Sequence, residues 1–123
     1  MNSINKKTLV LGASLNPNRY SNLAINRLIE NDIEVVAIGL RKGEVAGIPI
    51  HTERIPFKNI HTVTLYLNAK RQQAYYDYIL SLKPERIIFN PGTENEEFYK
   101  ILENHKINYE IACTLVLLRI GSY

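Results

Sequence analysis

Between Thr8 and Gly39 the chain alternates two kinds of segment, and this alternation restricts the fold more than any other feature. Thr8 to Leu11 is a short continuous apolar run ending at Gly12. Because the run is unbroken rather than alternating, it predicts a strand buried on both faces. A loop follows, Gly12-Ala13-Ser14-Leu15-Asn16-Pro17-Asn18. From Ser21, a candidate N-cap, the spacing of Ala24, Ile25, Leu28 and Ile29 puts the apolar residues on one helical face, and Asn31-Asp32 ends the segment. Val35 to Ile38 is a second β-branched run closed by Gly39. Strand, loop, helix and strand in this order make one βαβ unit.

The rest extends the pattern. Leu40 to His61 is irregular, with Gly43, Gly47, Pro49 and Pro56 breaking any helix of useful length, and a small excursion is expected around Val45-Ala46-Gly47-Ile48. Thr62 to Leu67 is a third strand. Tyr75, Tyr78, Ile79 and Leu82 then fall at i, i+3, i+4 and i+7, which predicts a helix ahead of Pro84. Arg86 to Phe89 is a fourth strand, and Thr93-Glu94-Asn95-Glu96 has capping-box spacing before Phe98, Ile101 and Leu102. Asn108 to Ala112 reads as a fifth strand, and Thr114 to Ile120 as a short packed helix. The expected fold is α/β: one domain over residues 1–123, a five-stranded, mostly parallel sheet with helices on both faces.

Composition removes several function classes. With 15 Lys plus Arg against 12 Asp plus Glu, the net +3 is too small for a dedicated nucleic-acid binder. Residues 1–60 hold eight basic and five acidic side chains, residues 61–123 seven of each, so the positive charge belongs to the first half. The longest uninterrupted apolar segment, Leu115 to Leu118, is far short of the roughly 20 residues of a membrane span. One cysteine, Cys113, and no secretory leader pattern predict a reducing, cytoplasmic setting. Cys113 has no base or cationic cluster near it in sequence and is expected to be a buried, inert thiol. His51, His61 and His105 lack metal-ligand spacing, so no metal site is expected.

In a doubly wound sheet ligands bind beyond the carboxyl ends of the strands, where strand order reverses. The first loop offers Gly12, Ala13 and Ser14 before a helix N-terminus, with Arg19, Tyr20 and Ser21 just after, a set suited to phosphate. The alternative is an ordinary βα turn with its cap. The glycine fingerprint of nicotinamide nucleotide sites is absent, because Ser14 and Pro17 stand at its second and third glycine positions. The second strand ends in Gly39-Leu40-Arg41-Lys42-Gly43, two cations where an NAD site places a carboxylate. Arg41 and Lys42 therefore suit a phosphorylated ribose, the alternative being a solvated pair. Asn68 follows the third strand, as ligand contact or helix cap. Asn90, Pro91 and Gly92 follow the fourth, as wall and lid for the uncharged part of a ligand, since Glu94, Glu96 and Glu97 crowd the next helix start.

Taken in order, Val10-Leu11-Gly12-Ala13-Ser14, Arg19-Tyr20-Ser21, the Gly47 excursion, Asn90-Pro91-Gly92 and Cys113 resemble the small CoA-binding Rossmann-like proteins. These are stand-alone relatives of the N-terminal domain of the succinyl-CoA synthetase alpha subunit. The resemblance implies that Gly12, Ala13 and Ser14 contact the CoA diphosphate, and that the loop after strand two takes the adenosine end. Lys42 matches a lysine of the synthetase domain, and Arg41 is its neighbouring candidate. The synthetase's phosphorylated histidine belongs to a later domain, so the expectation is a non-catalytic module for CoA or acyl-CoA. Two other readings stay open: an NADP-binding reductase fragment, and a regulatory partner protein with a vestigial nucleotide site.

Overall fold

The computed structural model describes residues 5–123. Its elements are β1 (Thr8–Ala13), α1 (Tyr20–Glu30), β2 (Val35–Gly39), β3 (Gly43–Val45), β4 (Ile48–His51), β5 (Thr62–Leu65), α2 (Ala69–Gln72), a 3-10 turn (Gln73–Tyr75), α3 (Tyr76–Leu82), β6 (Arg86–Phe89), α4 (Glu96–Asn104), β7 (Asn108–Ile111) and α5 (Thr114–Arg119). The strands form one sheet in the order β3-β4-β2-β1-β5-β6-β7. All neighbours are parallel except β3 and β4.

The α/β, parallel-dominated, Rossmann-like architecture stands, and the strand count is corrected from five to seven, in a mixed sheet. The extra pair is the excursion after β2. Val45 and Ile48 pair across a turn in which Ala46 and Gly47 both have positive φ, 51° and 82°. β4 then joins β2 in parallel through Ala37 with Ile50 and Ile38 with His51.

The continuous apolar runs are explained by burial on both faces. Leu9, Val10 and Leu11 have no exposure. Leu9 and Leu11 pack with Val63, Leu65, Ile87 and Phe89 under α3 and α4, which contribute Tyr78, Ile79, Phe98 and Leu102. Val10 points the other way and packs with Ala37, Ile25 and Leu28 of α1, with Leu118 of α5 against that cluster. The alternation of side chains along β1 thus serves two cores with one strand. Each fully buried Leu, Ile or Phe contributes about 1.5–3 kcal/mol.

Three local expectations are corrected. Arg19, not Ser21, occupies the N-cap of α1, and no side chain caps that end. The helix expected over Tyr75 to Leu82 starts one residue later, as α3, with Tyr75 closing the 3-10 turn ahead of it. The cap of α4 is Asn95, whose Oδ1 accepts from Phe98 N at 3.1 Å, while the Thr93 hydroxyl turns back to Asn90 O at 2.7 Å. Asparagine accepts from an amide three residues on as well as threonine does, so the cap sits two residues further along, and with Phe98 at the third helical position there is no reciprocal box.

Candidate functional site

Strand order reverses between β1 and β5, because the chain winds outward from β1 through β2 in one direction and from β5 through β6 in the other. Loops leaving β1, β2, β5 and β6 diverge there and enclose a cleft of about 890 Å³. That is near the upper end of the roughly 300–1,000 Å³ range of ligand pockets, so the space suits a long ligand.

The floor depends on glycine. Gly12 has φ +100°, and a Cβ there would lie 2.9 Å from the Tyr66 carbonyl carbon and 3.0 Å from its oxygen. Its role is close approach of β1 to β5, fixed by Tyr66 N donating to Leu11 O at 2.8 Å. Beside it the β1–β2 register shifts at Ala13, and a Cβ on Gly39 would be 2.2 Å from Ala13 O. Glycine at both strand ends lets three backbones converge under the cleft.

The first loop is tied down by its own polar groups. Asn22 Nδ2 donates to Ser14 O at 3.0 Å, and Ser14 Oγ accepts from Asn16 N at 3.1 Å. The Ser14 hydroxyl therefore keeps its proton to donate elsewhere. α1 has no acidic residue in its first turn and no side-chain cap, which leaves its positive end open toward the cleft. α4 is the opposite case. Glu96 and Glu97 sit in its first turn, Asn95 caps it, and Glu94 Oε1 accepts from Gly92 N at 2.9 Å.

Of the residues singled out from sequence, Gly12, Ala13, Ser14, Arg19, Tyr20, Ser21, Arg41, Asn68, Pro91 and Gly92 line the cleft together. Lys42 and Asn90 are not among its lining. Lys42 follows Arg41 on an exposed stretch beyond the end of β2. Asn90 is 2% exposed and lies beneath the floor. Its Nδ2 donates to Thr64 Oγ1 and Leu65 O at 2.7 and 2.9 Å, and its Oδ1 accepts from Thr114 N at 2.9 Å. Its side chain binds β5, β6 and α5 together. Asn68 is the cap of α2, accepting from Arg71 N at 2.9 Å, and it also lines the cleft.

Sequence reasoning missed Leu15, Leu40, Tyr66, Arg71 and Tyr75, all in the lining. Leu15, Tyr20 and Leu40 are 42%, 71% and 74% exposed, three of the six large apolar side chains left open to solvent among the described residues, and all three ring the cleft. Tyr66 is pushed up to about 12 by burial, against the opposing pull of the Thr64 and Thr114 hydroxyls, so it stays a neutral phenol at physiological pH. Arg71 has a recognisable signal, three residues after a capping asparagine at a strand end.

The remaining candidates lie elsewhere. Cys113 is half-buried rather than fully buried and precedes α5 without capping it through its side chain. His61 sits at the amino end of the sheet, bonded to Thr62 Oγ1 at 2.7 Å and 3.6 Å from the Glu85 carboxylate, its pKa lowered chiefly by burial. Among the described residues no group of three His, Cys, Asp or Glu side chains is placed to hold a metal. No helix there is long and apolar enough to cross a membrane.

Known proteins share this fold. The family model of the CoA binding domain matches residues 6–119. The crystal structure of an uncharacterized protein, 50% identical, aligns with a TM-score of 0.95 over 98% of this chain and 100% of that one. A Thermus thermophilus protein at 20% identity aligns with a TM-score of 0.83 over 96% and 90% of the two chains. A hypothetical protein from Pyrococcus horikoshii at 25% identity aligns with a TM-score of 0.78 over 88% and 76%. Comparison with curated protein sequences returns no match. The matched span runs from before β1 to the end of α5 and takes in every loop of the cleft; the chain belongs to the CoA-binding domain family.

Proposed function

We propose that this protein binds coenzyme A or an acyl-CoA across the carboxyl edge of its sheet, as a binding module without catalysis of its own. The observation that carries the reading is the charge of the cleft. Among the described residues Arg19, Arg41 and Arg71 line it, no Asp or Glu does, and none of the three guanidinium groups is in an ion pair. CoA carries a diphosphate and a ribose 3′-phosphate, so its polyanionic end matches such a lining. In this reading Gly12, Ala13, Ser14 and the open end of α1 take the diphosphate, with Arg19 beside them. Arg41, at the end of β2, takes the phosphorylated ribose, and Leu15, Leu40 and Tyr20 supply apolar surface for adenine. The non-catalytic part rests on the lining's chemistry, since amides, hydroxyls and guanidiniums hold a ligand but none is a general base at neutral pH. A reducing, cytoplasmic setting fits the single cysteine.

Titration calorimetry with CoA, dephospho-CoA, NADP and NAD tests the reading. CoA is expected to bind most tightly. Arg41→Ala should lose more affinity for CoA than for dephospho-CoA, on the order of 1 kcal/mol for so exposed a contact, and Lys42→Ala should change little. Tighter binding of NADP than of CoA would favour the reductase reading instead. Equal losses for CoA and dephospho-CoA would place the ribose phosphate away from Arg41.

A further inference from the structure

Two of the three cleft arginines have a charge to meet in that reading, and the third has none. Arg19 stands at the amino end of α1 and Arg41 at the end of β2. Arg71 lies on α2, which follows β5, on the other side of the point where strand order reverses. In that reading the adenosine lies over β2 and the diphosphate over β1, so the pantetheine arm, the part of the molecule left over, falls on this side. That arm carries two amides and a thiol, and no charge. An arginine without an ion pair has nothing there to meet.

The placement of Arg71 is built in. Its backbone N–H donates to Asn68 Oδ1 at 2.9 Å. The next residue, Gln72, has no exposure; its Nε2 donates to Leu67 O at 2.8 Å and Thr93 O at 2.7 Å, and its Oε1 accepts from Asn95 Nδ2 at 2.9 Å. One amide thus fastens α2 to the loops after β5 and β6, using both of its hydrogens and its oxygen. Arg71, one position away, is held at the cleft on a fixed backbone. A second cation backs this wall, because the Arg54 guanidinium lies 4.5 Å from the ring centre of Tyr75, itself a lining residue. Among the described residues no Asp or Glu lines the cleft, and the Glu94 carboxylate beside it accepts from Gly92 N at 2.9 Å and is not paired with Arg71.

Building on the CoA reading, we propose that the ligand is an acyl-CoA whose acyl group ends in a carboxylate, and that Arg71 recognises it. A guanidinium meets a carboxylate through two parallel hydrogen bonds, a geometry that lysine does not reproduce.

The test measures affinities of malonyl-CoA and glutaryl-CoA against butyryl-CoA and hexanoyl-CoA, their uncharged counterparts of matched length, for the full chain and for Arg71→Gln and Arg71→Lys. At least one carboxylated ligand is expected to bind about tenfold more tightly than its counterpart. Arg71→Gln should erase that preference, lowering affinity for the carboxylated ligand more than affinity for CoA itself, and Arg71→Lys should restore it only in part. Arg71 is exposed, so these variants leave the core untouched. No preference in the unaltered protein, or a preference that survives Arg71→Gln, overturns the proposal. So does an equal loss for CoA itself, which would put Arg71 on the phosphates. Failure of the unaltered protein to bind any of these compounds would instead overturn the CoA reading on which this one rests.

Discussion

At the scale of single residues, two glycines with similar backbone angles do different work. Gly12 and Gly92 have φ +100° and +91°, both unfavourable for any residue with a side chain. A Cβ on Gly92 meets nothing within 4 Å, whereas one on Gly12 runs into the Tyr66 backbone at 2.9 Å. That backbone has no freedom to retreat, since Tyr66 N is bonded to Leu11 O. Gly92→Ala should therefore cost about 1 kcal/mol of backbone strain, and Gly12→Ala about 3 kcal/mol or more, because overpacking adds to strain. Urea unfolding of the two variants checks this. Equal losses would mean that β1 and β5 can separate, and that Gly12 is there for a ligand rather than for the sheet. Ser14 has a different logic, since its loop uses it only as an acceptor and leaves the donor free.

Among the elements, β5 and β6 and the segments after them are held by buried amides: Asn90 beneath the cleft, Gln72 and Asn95 at its rim. Asn95 links three of these parts. It caps α4 through Phe98 N, and its Nδ2 reaches Gln72 Oε1 and, at 2.8 Å, Tyr76 Oη. Asn95→Ala removes a cap and strands a buried acceptor, together about 2–4 kcal/mol. Thr93→Ala, the change that a capping box at Thr93 would make costly, should lose only about 1 kcal/mol, because Asn90 O still accepts from Thr93 N at 3.0 Å. Thermal unfolding of both variants decides it, and a larger loss for Thr93→Ala would restore the box. The same elements show what was legible beforehand. β1, β2 and β6 were readable because strands covered on both faces carry continuous apolar runs, and β5 because Thr62, Val63 and Thr64 are β-branched. β3 and β4 were not, since three and four residues with a proline at Pro49 leave no periodicity to count. Strand-end loops were easy candidates for the site. Arg71 and Tyr75 escaped because they reach the cleft from a helix and a 3-10 turn beyond the loop, where residues were scored only for their apolar face.

Over the whole molecule, charge is distributed so that one edge of the sheet is positive. The surplus of three basic side chains falls in residues 1–60, which supply Arg19 and Arg41, and Arg71 joins them from the second half. Other cations are engaged elsewhere: Arg27 with Glu30, Arg86 with Glu110, and Lys7 with Glu34. In a chain of net charge +3, three arginines thus share one cleft, and among the described residues no Asp or Glu is in its lining. Because the cleft is open, its field is subject to screening, with a Debye length of about 10 Å at 0.1 M ionic strength and about 3 Å at 1 M. Affinity for CoA should then fall steeply with salt, on the order of tenfold between 0.05 and 0.5 M, and less for dephospho-CoA, which carries one phosphate fewer. Pantetheine, which has no phosphate, should bind weakly at every ionic strength and show no trend. Calorimetric titrations along a salt series read all three slopes. A CoA affinity indifferent to salt would mean that the arginines contribute little, and that apolar contact with Leu15, Leu40 and Tyr20 holds the ligand instead.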